Sequence, residues 1–192
     1  MNRIPGVVTG VVKSLDDPDG QGRIELEFRG LPDAPESGWA PIAVPLAGKS
    51  RGMYFMPEKE DEVLVAFERG DFDHPFVIGY LWNGVDSPPE TDPENRIIFT
   101  PGKHTLRFED KNQKIILQSA GGHSLVIDDN AKTVTLQSKG GHKITIDDDA
   151  NALTLQTSKG QMITLDDSGT GSITLSGGER KIEMSGGTVK FT

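Results

Sequence analysis

Three histidines, His104, His123 and His142, stand nineteen residues apart. An imidazole repeated at fixed spacing is the arrangement from which rings of metal- or anion-binding nitrogens are built. Pairs of adjacent aspartates, Asp128-Asp129, Asp147-Asp148 and Asp166-Asp167, recur with the same period. They offer carboxylates of the kind that cleave glycosides or ligate calcium. Asp71 and His74 could exchange a proton, but no motif sets a serine beside them. Asp17-Pro18-Asp19-Gly20 lacks the later ligands and closing Glu of an EF-hand loop, and so reads as a turn. The chain has no cysteine, which removes disulfides, thiolate metal sites and cysteine nucleophiles together.

Each of these groups also has a purely structural reading, and that is the one adopted. A histidine two residues before an inward aliphatic fits a corner beside a glycine turn and bonds to a backbone carbonyl. The aspartate pairs fall between short alternating runs, where Asp bonds its own backbone and adjacent residues point opposite ways. Trp39 and Trp82 could stack on bases or sugars, but in a small barrel they pack in the core or against a neighbouring subunit. No catalytic set, cofactor or metal is assigned; His104, His123 and His142 are retained only as candidates for an axial ring.

The elements that position these residues are strands. No window of eleven or more residues places apolar side chains at 3.6 spacing, and Gly and Pro, 23 and 12 of 192 residues, punctuate short alternating runs. The expected strands of the first half are 7–12, 23–28, 39–46, 62–67 and 76–80, enough for a small closed barrel. Asn83 to Asn95, rich in proline and acid, reads as a linker. The domains expected are 1–84, a linker over 85–96, and 97–192.

Beyond Gly102 the chain repeats every nineteen residues, two strands to a unit, one closed by an Asp-Asp turn and the other by a glycine turn. Alternation puts Leu125, Ile127, Val134, Leu136, Ile144, Ile146, Leu153, Leu155, Ile163 and Leu165 on one face, with Ser, Thr, Lys and Gln on the other. A lone ribbon of this kind leaves its apolar face wet and its edges open. Three copies about a common axis would turn those faces inward and pair edges with neighbouring chains, giving a shaft of roughly 45 Å if each strand advances one spacing.

The net charge of −9 lies wholly in the first half: residues 1–100 carry 9 Lys and Arg against 18 Asp and Glu, residues 101–192 carry 11 against 11. An acidic first half repels phosphate, so nucleic acid is not an expected partner. No stretch is long and apolar enough for a membrane span, and the N-terminus lacks the apolar core of a signal peptide, so synthesis in the bacterial cytoplasm is expected.

The first eighty residues resemble the OB-fold domain shared by VgrG proteins of type VI secretion and phage baseplate assembly protein V. The resemblance rests on Asp17-Pro18, Gly22-Arg23-Ile24, Trp39-Ala40, Ala47-Gly48, Arg51-Gly52, Pro57, the run 61–67, Gly70-Asp71, His74-Pro75 and Gly79, in the family's order. The repeats after it are similar to that family's trimeric needle. The resemblance implies an all-β chain, a five-stranded OB barrel followed by an intertwined trimeric β-helix. It further implies a structural spike without enzymatic activity, assembled into the baseplate of a virion or injection particle and driven through a target cell envelope. VgrG proteins fuse a hub ahead of the collar, so a separate hub protein is expected here, and the short linker leaves no room for a lysozyme domain. The family's His-x-His tip is absent, so a PAAR-like tip protein is expected over Val189 and Phe191. The competing readings are a trimeric tail-spike enzyme or adhesin acting on surface polysaccharide, and an oligonucleotide-binding OB module.

Overall fold

The computed structural model describes residues 3–192 and divides the chain into two compact units, Met1–Pro88 and Pro89–Thr192. In the first unit, β1 (Val7–Ser14) pairs antiparallel with β2 (Glu25–Glu27) on one side. On the other side it pairs with β5 (Glu62–Phe67), which in turn pairs with β6 (Pro75–Tyr80), giving the sheet order β2-β1-β5-β6.

The stretch 39–46, expected as a strand, forms single pairings instead. Ile24 and Ala40 exchange both backbone hydrogen bonds, at 2.9 and 2.7 Å, and Ile42 lies parallel to Val77. Val77 N–H donates to Pro41 O at 3.0 Å and Ala43 N–H to Val77 O at 2.8 Å. Pro41 and Pro45 have no N–H to give a longer ladder, so this segment closes the barrel between β2 and β6 with the fewest bonds that will do so. The topology is that of an OB barrel. A short hairpin, β3 (Ala47–Gly48) with β4 (Arg51–Gly52), follows the closing segment.

Alternate residues of these strands point inward, and Val12, Ile24, Leu26, Phe28, Val63, Val65 and Val77 are fully buried. Phe28, Phe67 and Phe72 meet with ring centroids 5.4 to 5.5 Å apart. Gly10 lets β1 approach this cluster: a side chain there would place its Cβ 3.2 Å from the ring of Phe28.

The second unit is one eleven-stranded antiparallel meander in which every strand pairs with its neighbours in sequence. It begins with β7 (Asn95–Phe99), β8 (Thr105–Glu109) and β9 (Lys114–Gln118). The repeats proper are β10 (Ser124–Asp128), β11 (Thr133–Gln137), β12 (Lys143–Asp147), β13 (Ala152–Gln156) and β14 (Met162–Asp166). It ends with β15 (Ser172–Gly177), β16 (Arg180–Ser185) and β17 (Thr188–Phe191).

This corrects the expectation that strands pair across chains. Each interior strand has both backbone edges filled by its own chain, because turns of two to five residues return the next strand directly alongside. What the chain leaves open is a side-chain face, not a set of backbone edges. The opposite face is also less uniformly polar than expected. Its central column starts Ile97, Arg107, Ile116, Val126 and only then becomes Thr135, Thr145, Thr154, Thr164 and Thr174.

Candidate assembly surface

The registers of the meander are unbroken from β7 to β17, so side chains two residues apart on each strand stack into columns. One column runs from Ile98 and Leu106 through Leu125, Leu136, Ile144, Leu155 and Ile163 to Phe191. The next starts at Arg96, opposite Phe108, and runs through Ile127, Val134, Ile146, Leu153 and Leu165 to Val189. Direct cross-strand partners of this kind stand about 5 Å apart, so each column is a continuous aliphatic ridge.

No second layer covers these ridges. Among the described residues, every buried side chain belongs to the first unit, and Leu136, Ile144, Ile146, Leu155, Ile163 and Leu165 are 39 to 51% exposed. Two broad grooves run along the face, one lined by Leu136, Ile144, Leu155 and Ile163, the other by Ile146, Leu153, Leu165 and Ile173. An apolar face this long is well beyond the scattered exposure of a monomer's surface.

Two rims of turns frame the face. On the glycine rim the left-handed position is Lys103, Gly122, Gly141 and Gly160 in successive turns. The histidine that follows each of the first three folds back over the next turn of the same rim. His104 Nδ1 accepts from Ala120 N–H, His123 Nδ1 from Lys139 N–H and His142 Nδ1 from Ser158 N–H, each at 3.4 Å. The expected bond to a backbone carbonyl is therefore reversed: the imidazole accepts, and its proton sits on Nε2. A nitrogen that accepts an amide hydrogen is not free to ligate a metal, and within one chain the described residues bring no three of His, Asp or Glu to a common point.

On the opposite rim the first aspartate of each pair caps its own turn. Asp128 Oδ1 accepts from Ala131 N–H and Asp147 Oδ1 from Ala150 N–H, both at 2.9 Å, and Asp166 Oδ1 accepts from Ser168 N–H at 2.7 Å. The Lys114 ammonium 2.8 Å from Asp128 holds that carboxyl below its ordinary range. The second aspartates carry the ladder across the turns: Asp129, Asp148 and Asp167 N–H donate to Gln113, Lys132 and Asn151 O at 2.8 to 3.0 Å. Asp129, Asp148 and Asp167 are themselves exposed at these turns.

In the first unit, two features escaped sequence reasoning. Asp17 binds the guanidinium of Arg23 through both oxygens, at 2.6 and 3.1 Å, and also accepts N–H from Asp19, Gln21 and Arg23. The Arg23 fork, together with these amides, holds the Asp17 carboxyl far below the usual carboxylate range. The signal was present as Asp17-Pro18 and Gly22-Arg23, but nothing in the spacing said that the two ends of the loop bond. The other is an exposed apolar cluster of Leu46, Met53, Tyr54 and Phe55 about the β3–β4 hairpin. Trp82, expected in a core or an interface, is 69% exposed on its own chain. Asp71 and His74 form an exposed pair at 3.1 Å with no nucleophile between them.

This arrangement matches known proteins at both ends. The type VI secretion system/phage-baseplate injector OB domain matches residues 8–82, and the phage baseplate V C-terminal trimerisation domain matches residues 132–191. The type VI secretion system spike proteins VgrG5 and VgrG4b of Pseudomonas aeruginosa are 33% and 32% identical over 118 residues, 55% of this chain. The actin cross-linking toxin VgrG1 of Vibrio cholerae is 29% identical over 108 residues, 50% of this chain. The chain spans 10 to 15% of the length of these relatives. An OB barrel at 8–82 and a meander whose uncovered aliphatic face lies in the matched trimerisation region make the chain a member of the phage baseplate V and VgrG-like family, a baseplate or spike component of a phage tail or type VI secretion particle.

Proposed function

We propose that this chain is the central spike of such a particle. Three copies pack their aliphatic columns inward to make a stiff shaft from the second unit, while the first unit serves as a collar seated on a separate hub at the end of the tube. The shaft pierces the target cell envelope mechanically, and the chain performs no catalysis.

The observation that carries the reading is the pair of uncovered columns, one apolar across all eleven strands and the other across the ten that follow Arg96. Closing them about a three-fold axis removes the aliphatic side chains of three chains from water at once, at about 25 cal/mol per Å² buried. Eleven strands at roughly 4.8 Å make a sheet about 50 Å along the stacking direction, with every interior backbone group already paired, which is what resists bending and compression. The apolar cluster at Leu46, Met53, Tyr54 and Phe55 supports a docking role for the collar. Val189 and Phe191, 55% and 75% exposed on β17, are the contact we assign to a PAAR-like tip protein.

Light scattering tests the assembly: the purified chain should have three times its 20.8 kDa mass, about 62 kDa. A monodisperse monomer ends this reading. Piercing is tested by particles carrying the chain truncated after Pro88, which should assemble and bind cells but fail to breach the envelope.

A further inference from the structure

The two rims of the meander differ in charge as well as in turn type. Ion pairs within the chain neutralise some of it: Lys114 with Asp128, Lys132 with Asp149, Arg96 with Asp110 and Lys181 with Glu183. Among the described residues of the meander, the groups left without an ion pair then separate by rim, apart from Lys190 within β17. Lys103, Lys139, Lys143, Lys159 and Arg180 lie at the glycine-turn ends of the strands. Asp129, Asp147, Asp148, Asp166 and Asp167 lie at the opposite ends. Glu179 is the one exception on the basic rim.

Within one chain this is unfavourable. Like charges recur along each rim every second strand, roughly 10 Å apart, and nothing in the chain answers them. A second copy does. Rotation about the stacking axis brings the glycine rim of one sheet to the aspartate rim of the next, whereas inverting one copy end to end brings like rims together. The levels also interleave. Asp129 sits in the β10–β11 turn, Lys139 in the β11–β12 turn, Asp148 in the β12–β13 turn, Lys159 in the β13–β14 turn and Asp167 in the β14–β15 turn. With copies in register, each lysine falls one strand spacing, about 5 Å, from an aspartate level above and below.

We infer that the corners of the trimer are electrostatic seams: the lysines of one chain's glycine rim pair with Asp129, Asp148 and Asp167 of the next chain, and this pairing fixes the chains parallel and in register. The inference rests on the trimer reading and adds what sets its orientation. The aliphatic columns supply attraction in either direction, because a ridge of Leu and Ile is nearly the same read upward or downward; the rims are not.

The experiment is a rim exchange in the full chain. Lys139→Glu, Lys143→Glu and Lys159→Glu together make both rims acidic, and Asp129→Lys, Asp148→Lys and Asp167→Lys together make both basic. Each triple variant should raise the concentration needed for trimer formation about a hundredfold or more at low salt. The sixfold variant, with the rims exchanged, should return to within a few-fold of the parent. Misfolding cannot produce that recovery, since the sixfold variant carries every change of both triples. Near 1 M salt, where the screening length is ~3 Å, the triples should recover most of the difference. If the parent chain is a trimer and both triples remain trimers at parental concentration, the seams are overturned while the trimer stands. If the sixfold variant stays as weak as the triples, the changes act by damaging the fold and the inference is equally lost. A monomeric parent removes the trimer reading itself.

Discussion

Ile144 of β12 and Leu155 of β13 are direct cross-strand partners, and each is 39% exposed because nothing else in the chain reaches them. On the other face of the same strands, Thr145 and Thr154 are partners at the neighbouring position. Ile144→Asp should therefore place three carboxylates in the buried centre of a trimer and dissociate it, whereas Thr145→Asp should leave the mass at about 62 kDa, three times 20.8 kDa. Leu155→Ala, milder, should cost about 2 to 5 kcal/mol per chain at a fully buried site. Sedimentation of the variants decides it: equal effects from the two faces would mean that the aliphatic columns are not the contact.

Asp17 should matter most for the first unit. Its carboxylate is 3% exposed, gripped by Arg23 and by three amides that close the β1–β2 loop. Asp17→Asn keeps the size but loses the charged fork, and should lower the thermal midpoint of the first unit at neutral pH. The sign with pH follows from the direction of the shift. A carboxyl held below its unfolded value of 3.8 stabilises fully above that pH and loses the contribution as pH falls through and below it. The parent and Asn variant should thus differ by a constant amount from pH 5 upward and converge in acid. Thermal melts across that range check it; a gap that widens in acid would contradict the assignment.

Much of this was legible because alternation and period are strong signals. The nineteen-residue repeat fixed which side chains share a face, and Glu62–Phe67 stands where its pattern of alternating aliphatics put it. What was not legible is partnership. Alternation says which face a residue occupies, not whose backbone lies beside it, so pairing within the chain was mistaken for pairing between chains. The closing stretch of the barrel read as a strand because Trp39, Ile42 and Val44 alternate with smaller residues, while the missing donors of Pro41 and Pro45 reduced it to single bonds. His123 was placed at its corner correctly, but which backbone group it meets depends on the next turn, sixteen residues on.

The left-handed positions of the glycine rim offer a stability test that leaves the aliphatic columns untouched. Gly141 has φ +83°, and a Cβ there would lie 3.3 Å from Ser158 Cβ in the next turn. Gly141→Ala should destabilise by about 1 kcal/mol. Lys103 occupies the corresponding position of the first turn with φ +62°, and Lys103→Gly should stabilise by up to about 1 kcal/mol as the strain of a side chain in that region is relieved. Opposite signs in chemical denaturation are the expected result. Equal signs would mean that the rim tolerates either conformation.

The start of the second unit is held by a carboxylate in a segment that looked like featureless linker. Glu90 accepts N–H from Thr91 and Asp92, at 2.9 and 3.0 Å, and from the Asn95 amide at 3.2 Å, and lies 2.7 Å from the Arg107 guanidinium. The Asp92 and Thr91 amides, with Asn95 and Arg107, hold its carboxyl below the ordinary Glu range. β7 is an edge strand, paired only with β8, so it has little else to keep it from fraying. Glu90→Ala should therefore speed amide exchange severalfold through Thr91–Phe99 while leaving β10 to β14 and the assembled mass unchanged. The same region should loosen in the parent as pH falls below the Glu range, since a group whose folded value is depressed gives up its contribution on protonation. Exchange rates in 91–99 that do not respond to the substitution would show that β8 alone anchors the first strand.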